Sequence, residues 1–250
     1  MPRRNWTRDE LIVAFNLYCR IPFGRIHNRN PEIISLAKTL GRTPSALSWK
    51  LANFARLDPS IKSRNLSGAA HGGSLEKEIW QEFNSDWDRL AFESEKLRFM
   101  FAGKSLEELG NEDLPEGGDR EAKIIARVNQ GFFRSMILAT YNGQCCITGI
   151  HIPELLCASH IIPWSIDKKN RTNPKNGLCL NAFHDRAFDR GLISFDEKFR
   201  VVISPQLRRS NNPALNEMLF NYEGKGIAMP SHFQPDPSFV KFHFEKIFLK

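Results

Sequence analysis

The 250-residue chain has few cysteines, only three tyrosines and no long hydrophobic run, and two of these shortages each exclude a class of protein. Five cysteines, Cys19, Cys145, Cys146, Cys157 and Cys179, form an odd, unevenly spread set without one Cys-x-x-Cys pair. That argues against a disulfide framework and against a structural zinc site built from paired ligands, and the residues read as small buried hydrophobes. No apolar stretch approaches the roughly 18 residues of a membrane span, and the mean hydropathy is -0.39. The basic start runs straight into Thr7, Asp9 and Glu10, and the apolar stretch after it has no small-residue cleavage site. No signal peptide is read there, and a cytoplasmic protein is expected. Internal repeats and low-complexity tracts are also lacking.

What is present is a globular composition, 41% hydrophobic and 25% charged, with a formal net charge of +7. The distribution of that charge says more than its sum. Residues 1–70 hold 12 Lys+Arg against 4 Asp+Glu, residues 71–121 hold 6 against 14, and residues 122–250 hold 17 against 10. Two basic blocks therefore flank an acidic one. A basic surface concentrates a polyanion and gains from counterion release, so nucleic acid is the leading partner.

The composition breaks mark three segments. Small residues over 68–74 read as a linker, and Asn111 to Asp119, with Pro115, Gly117 and Gly118, reads as a second break. Between them Leu75, Ile79, Phe83, Trp87 and Leu90 space out as the apolar stripe of one acidic helix, and a further helix is expected over 121–140. The expected organisation is a helical module over 1–70, an acidic helical connector over 71–121 and an α+β domain over 122–250. In the first module, Thr7 and Glu10 form a capping box, a second helix begins near Pro31 and ends at Gly41, and Thr43 caps a third with Pro44 at its first position. The tight turn Leu40-Gly41-Arg42-Thr43 makes the pair resemble a helix-turn-helix. On that reading Ser45, Ser48, Lys50, Asn53 and Arg56 belong to the helix that contacts DNA.

The densest chemistry lies between Cys146 and Asp196. It runs Cys146-Ile147-Thr148-Gly149, then Ala158-Ser159-His160-Ile161-Ile162-Pro163-Trp164, then Asn173-Pro174-Lys175-Asn176-Gly177-Leu178-Cys179-Leu180, then His184-Asp185-Arg186-Ala187-Phe188-Asp189-Arg190-Gly191. This resembles the HNH nuclease family, in particular its restriction-type branch with a Ser-His-Ile-x-Pro-Trp segment. The resemblance implies a ββα-metal fold: a hairpin carrying His160, a loop bearing Asn176 and a helix presenting His184 and Asp185. Local signals suit that layout, with Leu155 to Ala158 strand-like, Leu178 to Phe188 helical and closed by Gly191, and a second hairpin over 192–203. The tail from Pro205 is expected to pack back on this domain.

The resemblance also implies roles. His160 would be the general base, since an imidazole with a pKa near 6.5 accepts a proton at neutral pH. Asn176 would orient that imidazole through its amide, and His184 completes the catalytic set. His184 and Asp185 would hold one Mg²⁺ or Mn²⁺, and Arg186 and Arg190 would clamp neighbouring phosphates. One departure stands out: Ser159 occupies a position where many relatives carry an acidic residue or histidine, which shifts the metal onto His184, Asp185 and Asp189. The expected activity is metal-dependent cleavage of double-stranded DNA in restriction or defence. Cutting both strands with one compact site would call for a homodimer or two successive nicks. The rival readings are a non-catalytic DNA-binding regulator with a degenerate HNH fold and an RNA nuclease.

Overall fold

The computed structural model describes residues 4–63, 73–104, 118–210 and 212–250, with the side chains at 62–63 and 118–121 left aside. The two breaks expected near 68–74 and 111–119 lie for the most part outside the described residues. The chain divides into two units, Met1–Met136 and Ile137–Lys250.

In the first unit every described element is helical: α1 (Arg8–Arg20), α2 (Pro31–Thr39), α3 (Pro44–Ala55), the short α4 (Pro59–Ser63), α5 (Ser74–Phe83), α6 (Trp87–Phe101) and the first part of α7 (Gly118–Thr140). The capping box forms as expected, Thr7 accepting from the Glu10 amide and Glu10 accepting from the Thr7 amide at 2.9 Å. Glu10 does more than cap, because its buried carboxylate receives Arg42 through Nε at 3.0 Å and Nη2 at 2.7 Å, and Arg4 as well. Burial raises its pKa, but the Arg42 hydrogen bond, the Thr7 amide and the charges of Arg42 and Arg4 outweigh that and leave it lowered. The guanidinium of Arg42 also lies over the Trp6 ring at 4.5 Å. The turn between α2 and α3 is thereby tied to the start of α1.

The acidic segment departs from expectation in two ways. Its apolar stripe is split into α5 and α6 at Asn84 to Asp86, where Asp86 accepts from the Arg89 amide and starts a new helix. It also packs instead of connecting. Trp80 and Trp87 sit against Phe15 of α1, ring centroids 5.2 and 6.3 Å away, beside Phe54 of α3 at 4.9 Å. A stripe that wide must be buried somewhere, and α1, apolar nearly all round, supplies the matching surface.

The second unit holds two antiparallel hairpins, β1 (Leu156–His160) with β2 (Gly177–Asn181), and β3 (Ile193–Phe195) with β4 (Val201–Ile203). The helix expected over 178–188 begins only at Ala182, as α8 (Ala182–Asp189), because Gly177 to Asn181 pair with β1 and are all buried. A short apolar run cannot be told from a helix segment by periodicity, and here pairing decided. Gly191, at φ 68, closes α8 with paired hydrogen bonds, Gly191 N–H to Phe188 O at 2.8 Å and Leu192 N–H to Ala187 O at 2.9 Å. After the short α9 (Ala214–Met218), α10 (Pro237–Lys246) packs on β3, so the tail does fold back within its own unit.

His243 of α10 secures that packing. Its ring stacks on Phe188 at 3.7 Å, Nε2–H donates to the Phe188 carbonyl at 3.1 Å, and Ser194 Oγ–H donates to Nδ1 at 2.9 Å. Burial lowers its pKa to about 4, against the pull of the Phe188 carbonyl. The unfolded chain therefore takes up a proton first, near pH 6.5, so the stabilisation is full above that pH and is lost as pH falls toward 4. The loss is on the order of 3 kcal/mol. Urea unfolding midpoints should drop over that window, and His243→Gln should flatten the drop; equal slopes in both proteins would contradict it. At Gly191 an added Cβ would stand 2.2 Å from the Ile247 carbonyl oxygen. Gly191→Ala should cost more than about 2 kcal/mol by denaturant titration, since left-handed backbone and a clash add.

Candidate active site

His160 ends β1 opposite Gly177, where the hairpin opens into the loop 161–176. The loop is held by the fully buried Asn176. The Asn176 amide nitrogen donates to the carbonyls of Ile162 and Asn170, each at 3.1 Å, while Oδ1 accepts from the Ile162 amide at 2.8 Å. Both amide protons are thereby spent on backbone. The expectation that Asn176 orients the imidazole through its own amide is therefore corrected: it shapes the loop whose carbonyl accepts from the ring. Further along, Asp167 accepts from the amides of Lys169 and Asn170, and Asn173 Nδ2 donates to Asn170 Oδ1 at 2.7 Å.

The result of that folding is a carbonyl placed against the histidine. His160 Nε2 lies 2.8 Å from Arg171 O. A carbonyl only accepts, so Nε2 carries the proton and Nδ1 the lone pair. Burial is the largest influence on this imidazole and lowers its pKa; the Arg171 charge acts the same way, and the Arg171 carbonyl and Asp185 oppose them without reversing the shift. A neutral ring at pH 7 follows. Trp164 meets the ring edge-on at 5.4 Å, and Arg171 in turn lies over Trp164 at 4.8 Å with Nε donating to the Trp164 carbonyl at 2.9 Å. Arg171 and Trp164 were not among the expected site residues; nothing in the spacing of the motif marks which carbonyl a ring nitrogen will meet.

The helix α8 follows β2 directly, capped by Asn181, whose Oδ1 accepts from both the amide and the ring Nδ1 of His184 at 3.0 Å. His184 is only 3% exposed, wedged edge-on between Phe183 and Tyr222. Its Nε2 is sealed from solvent without a hydrogen bond of normal geometry among the described residues, and burial lowers its pKa although the Met218 backbone pulls upward. Asp185 points about a quarter-turn away, since successive helical residues do not share a face. The expected pairing of His184 with Asp185 on one ion is thus not what α8 presents. Asp185 instead acts electrostatically on His160 and on Asp189, one helical turn on. Surrounding protein and then the Asp185 charge hold Asp189 above the ordinary carboxylate range. Arg186 and Arg190 are exposed on the same helix. Among the described residues no group of three or more His, Cys, Asp or Glu side chains is placed to enclose a metal ion.

The DNA-contact set expected on α3 is mostly withdrawn from solvent. Lys50 pairs with Glu76 of α5, Asn53 is buried and donates to the same carboxylate at 2.9 Å, Ser48 Oγ and Arg56 Nε are buried atoms, and only Ser45 lies open. Of the cations in this set, Lys50 is the one that the acidic segment pairs. Trp49, at 62% exposure, is the large side chain that α3 leaves outside.

A hairpin leading straight into a helix, with a neutral histidine at its mouth and carboxylates on the helix, suits hydrolysis of a phosphoester. Residues 145–196 match the family described as HNH endonuclease, and the second unit thus carries an HNH domain of the α+β kind. The match takes in His160, Asn176, His184, Asp185 and Asp189. No curated protein matches the chain. No described helix is long and apolar enough to cross a membrane.

Removing the Asn176 amide should release the loop before it disturbs the hairpin. In Asn176→Ala, amide deuterium exchange over 161–171 should accelerate at least tenfold while β1 and β2 stay protected, and Asn176→Asp, which keeps the acceptor for the Ile162 amide, should fall between. Uniform exchange across hairpin and loop would show that Asn176 has no such local role.

Proposed function

We propose that this chain is a metal-dependent endonuclease that hydrolyses phosphodiester bonds in double-stranded DNA. The observation that carries the reading is the 2.8 Å contact between His160 Nε2 and Arg171 O, which makes Nδ1 the proton acceptor in a neutral, partly buried imidazole. That nitrogen takes a proton from the attacking water. The hydroxyl oxygen so formed bonds to phosphorus, the bond to the departing O3′ breaks, O3′ takes a proton from solvent, and the products are a 5′-phosphate and a 3′-hydroxyl. General-base help of this kind is typically worth about 10²–10⁴-fold.

The donor set fits a hard divalent cation. Asp185 and Asp189 are oxygen donors whose mutual repulsion a cation relieves, and fewer than three protein ligands suits Mg²⁺ or Mn²⁺, which keeps water and takes up phosphate oxygen. Asp185, with Asp189 behind it, would hold such an ion, which when bound supplies charge neutralisation at the phosphate. His184 serves as a positioning residue: its Nδ1 is tied to the Asn181 cap, so the ring fixes where α8 starts relative to β2. The exposed Arg186 and Arg190 supply phosphate contacts beside it. The positive surplus of residues 122–250 supports a nucleic-acid substrate. Restriction or defence, and pairing of two chains for double-strand cuts, belong to the same proposal by family likeness.

Plasmid nicking with Mg²⁺ or Mn²⁺ tests the reading. His160→Ala should lower the single-turnover rate by about 10²–10⁴-fold with unchanged thermal unfolding, and Asp185→Asn should shift the metal requirement to higher concentration. Cleavage that survives His160→Ala unchanged would remove the mechanism. Cutting of matched RNA but not of duplex DNA would leave the chemistry standing and overturn the substrate.

A further inference from the structure

A cavity of about 310 Å³ lies within the first unit between α1, α6 and α7. Its apolar lining is Ala91 of α6 with Ile124, Val128 and Phe132 of α7. The lining also includes Arg20, Arg98 and Arg127, and among the described residues one carboxylate, Glu95, which Arg98 holds at 2.8 Å. Among the described lining residues arginines therefore outnumber carboxylates by two.

Arg20 is held only loosely. It reaches Asn16 Oδ1 at 3.4 Å and Glu32 at 4.0 Å, both at the limit of contact, and its Nε is buried without a hydrogen-bond partner among the described residues. Burial and then the neighbouring Arg98 charge lower its pKa, and the charges of Glu32 and Glu95 oppose them without reversing the shift. An anion among these guanidinium groups would offset the repulsion between Arg20 and Arg98. Gly131 of α7 also lines the cavity, and a Cβ added there would meet nothing within 4 Å. Glycine inside a helix costs about 1 kcal/mol relative to alanine. Its missing side chain leaves that space open.

We propose that this cavity binds a small phosphomonoester with a flat apolar body, a mononucleotide being the class that satisfies both walls. The phosphate would sit among Arg20, Arg98 and Arg127, and the base would lie against Ile124, Val128 and Phe132. The volume admits one nucleotide and not a strand, the lining shares no residue with the His160 site, and the proposal does not depend on the nuclease reading.

Isothermal titration of the full chain with AMP, inorganic phosphate and adenosine tests this. AMP should bind, inorganic phosphate at least tenfold more weakly, and adenosine not measurably. Arg20→Gln should weaken AMP at least tenfold. Gly131→Leu, whose Cβ meets no neighbouring atom within 4 Å, should abolish binding while retaining the thermal stability of the parent. His160→Ala should bind as the parent does. Absence of AMP binding, equal affinity for inorganic phosphate, or binding unchanged in both Arg20→Gln and Gly131→Leu would each overturn the proposal. Binding lost in His160→Ala but kept in Arg20→Gln would place the ligand at the nuclease centre and overturn it equally.

Discussion

The hydrogen bond from His160 Nε2 to the Arg171 carbonyl decides what the imidazole can do, and most of the second unit is arranged around making it. The carbonyl is eleven residues downstream and must be brought back to the end of β1. The buried amide of Asn176 does this by holding Ile162 and Asn170 at once, and the polar turn around Asp167 removes the remaining freedom. Loop closure of that length costs entropy, which the hydrogen bonds and the paired strands beneath must offset. The base is therefore as well positioned as its loop is rigid.

The helix α8 is fixed at both ends by histidines. His184 ties the first turn of α8 to its own cap, and His243 stacks on Phe188 near the last. Between them Asp185 and Asp189 are held one turn apart, as carboxylates must be if they are to share a cation.

Much of this was legible in the sequence, though unevenly. The helix starts at Thr7, Pro31 and Pro44 could be read because caps and first-turn prolines act locally. The order His160, Asn176, His184 and Asp185 carried the family resemblance. What could not be read depended on partners distant in the chain. Gly177 to Asn181 have the composition of a buried helix or a strand, and only pairing with Leu156 to His160 decides. Lys50 and Asn53 look like exposed DNA contacts until Glu76 arrives from another helix. Asn176 looks like a histidine partner until its two protons are counted. Regional charge did not show which cations stay free: Arg8 and Lys50 pair with Glu82 and Glu76 of the acidic segment.

Long-range ¹⁵N–¹H correlation spectra of the His160 ring at pH 7 should show a neutral ring with a protonated, pyrrole-type Nε2 and an unprotonated Nδ1. A proton on Nδ1, in either the opposite tautomer or the imidazolium, would contradict it.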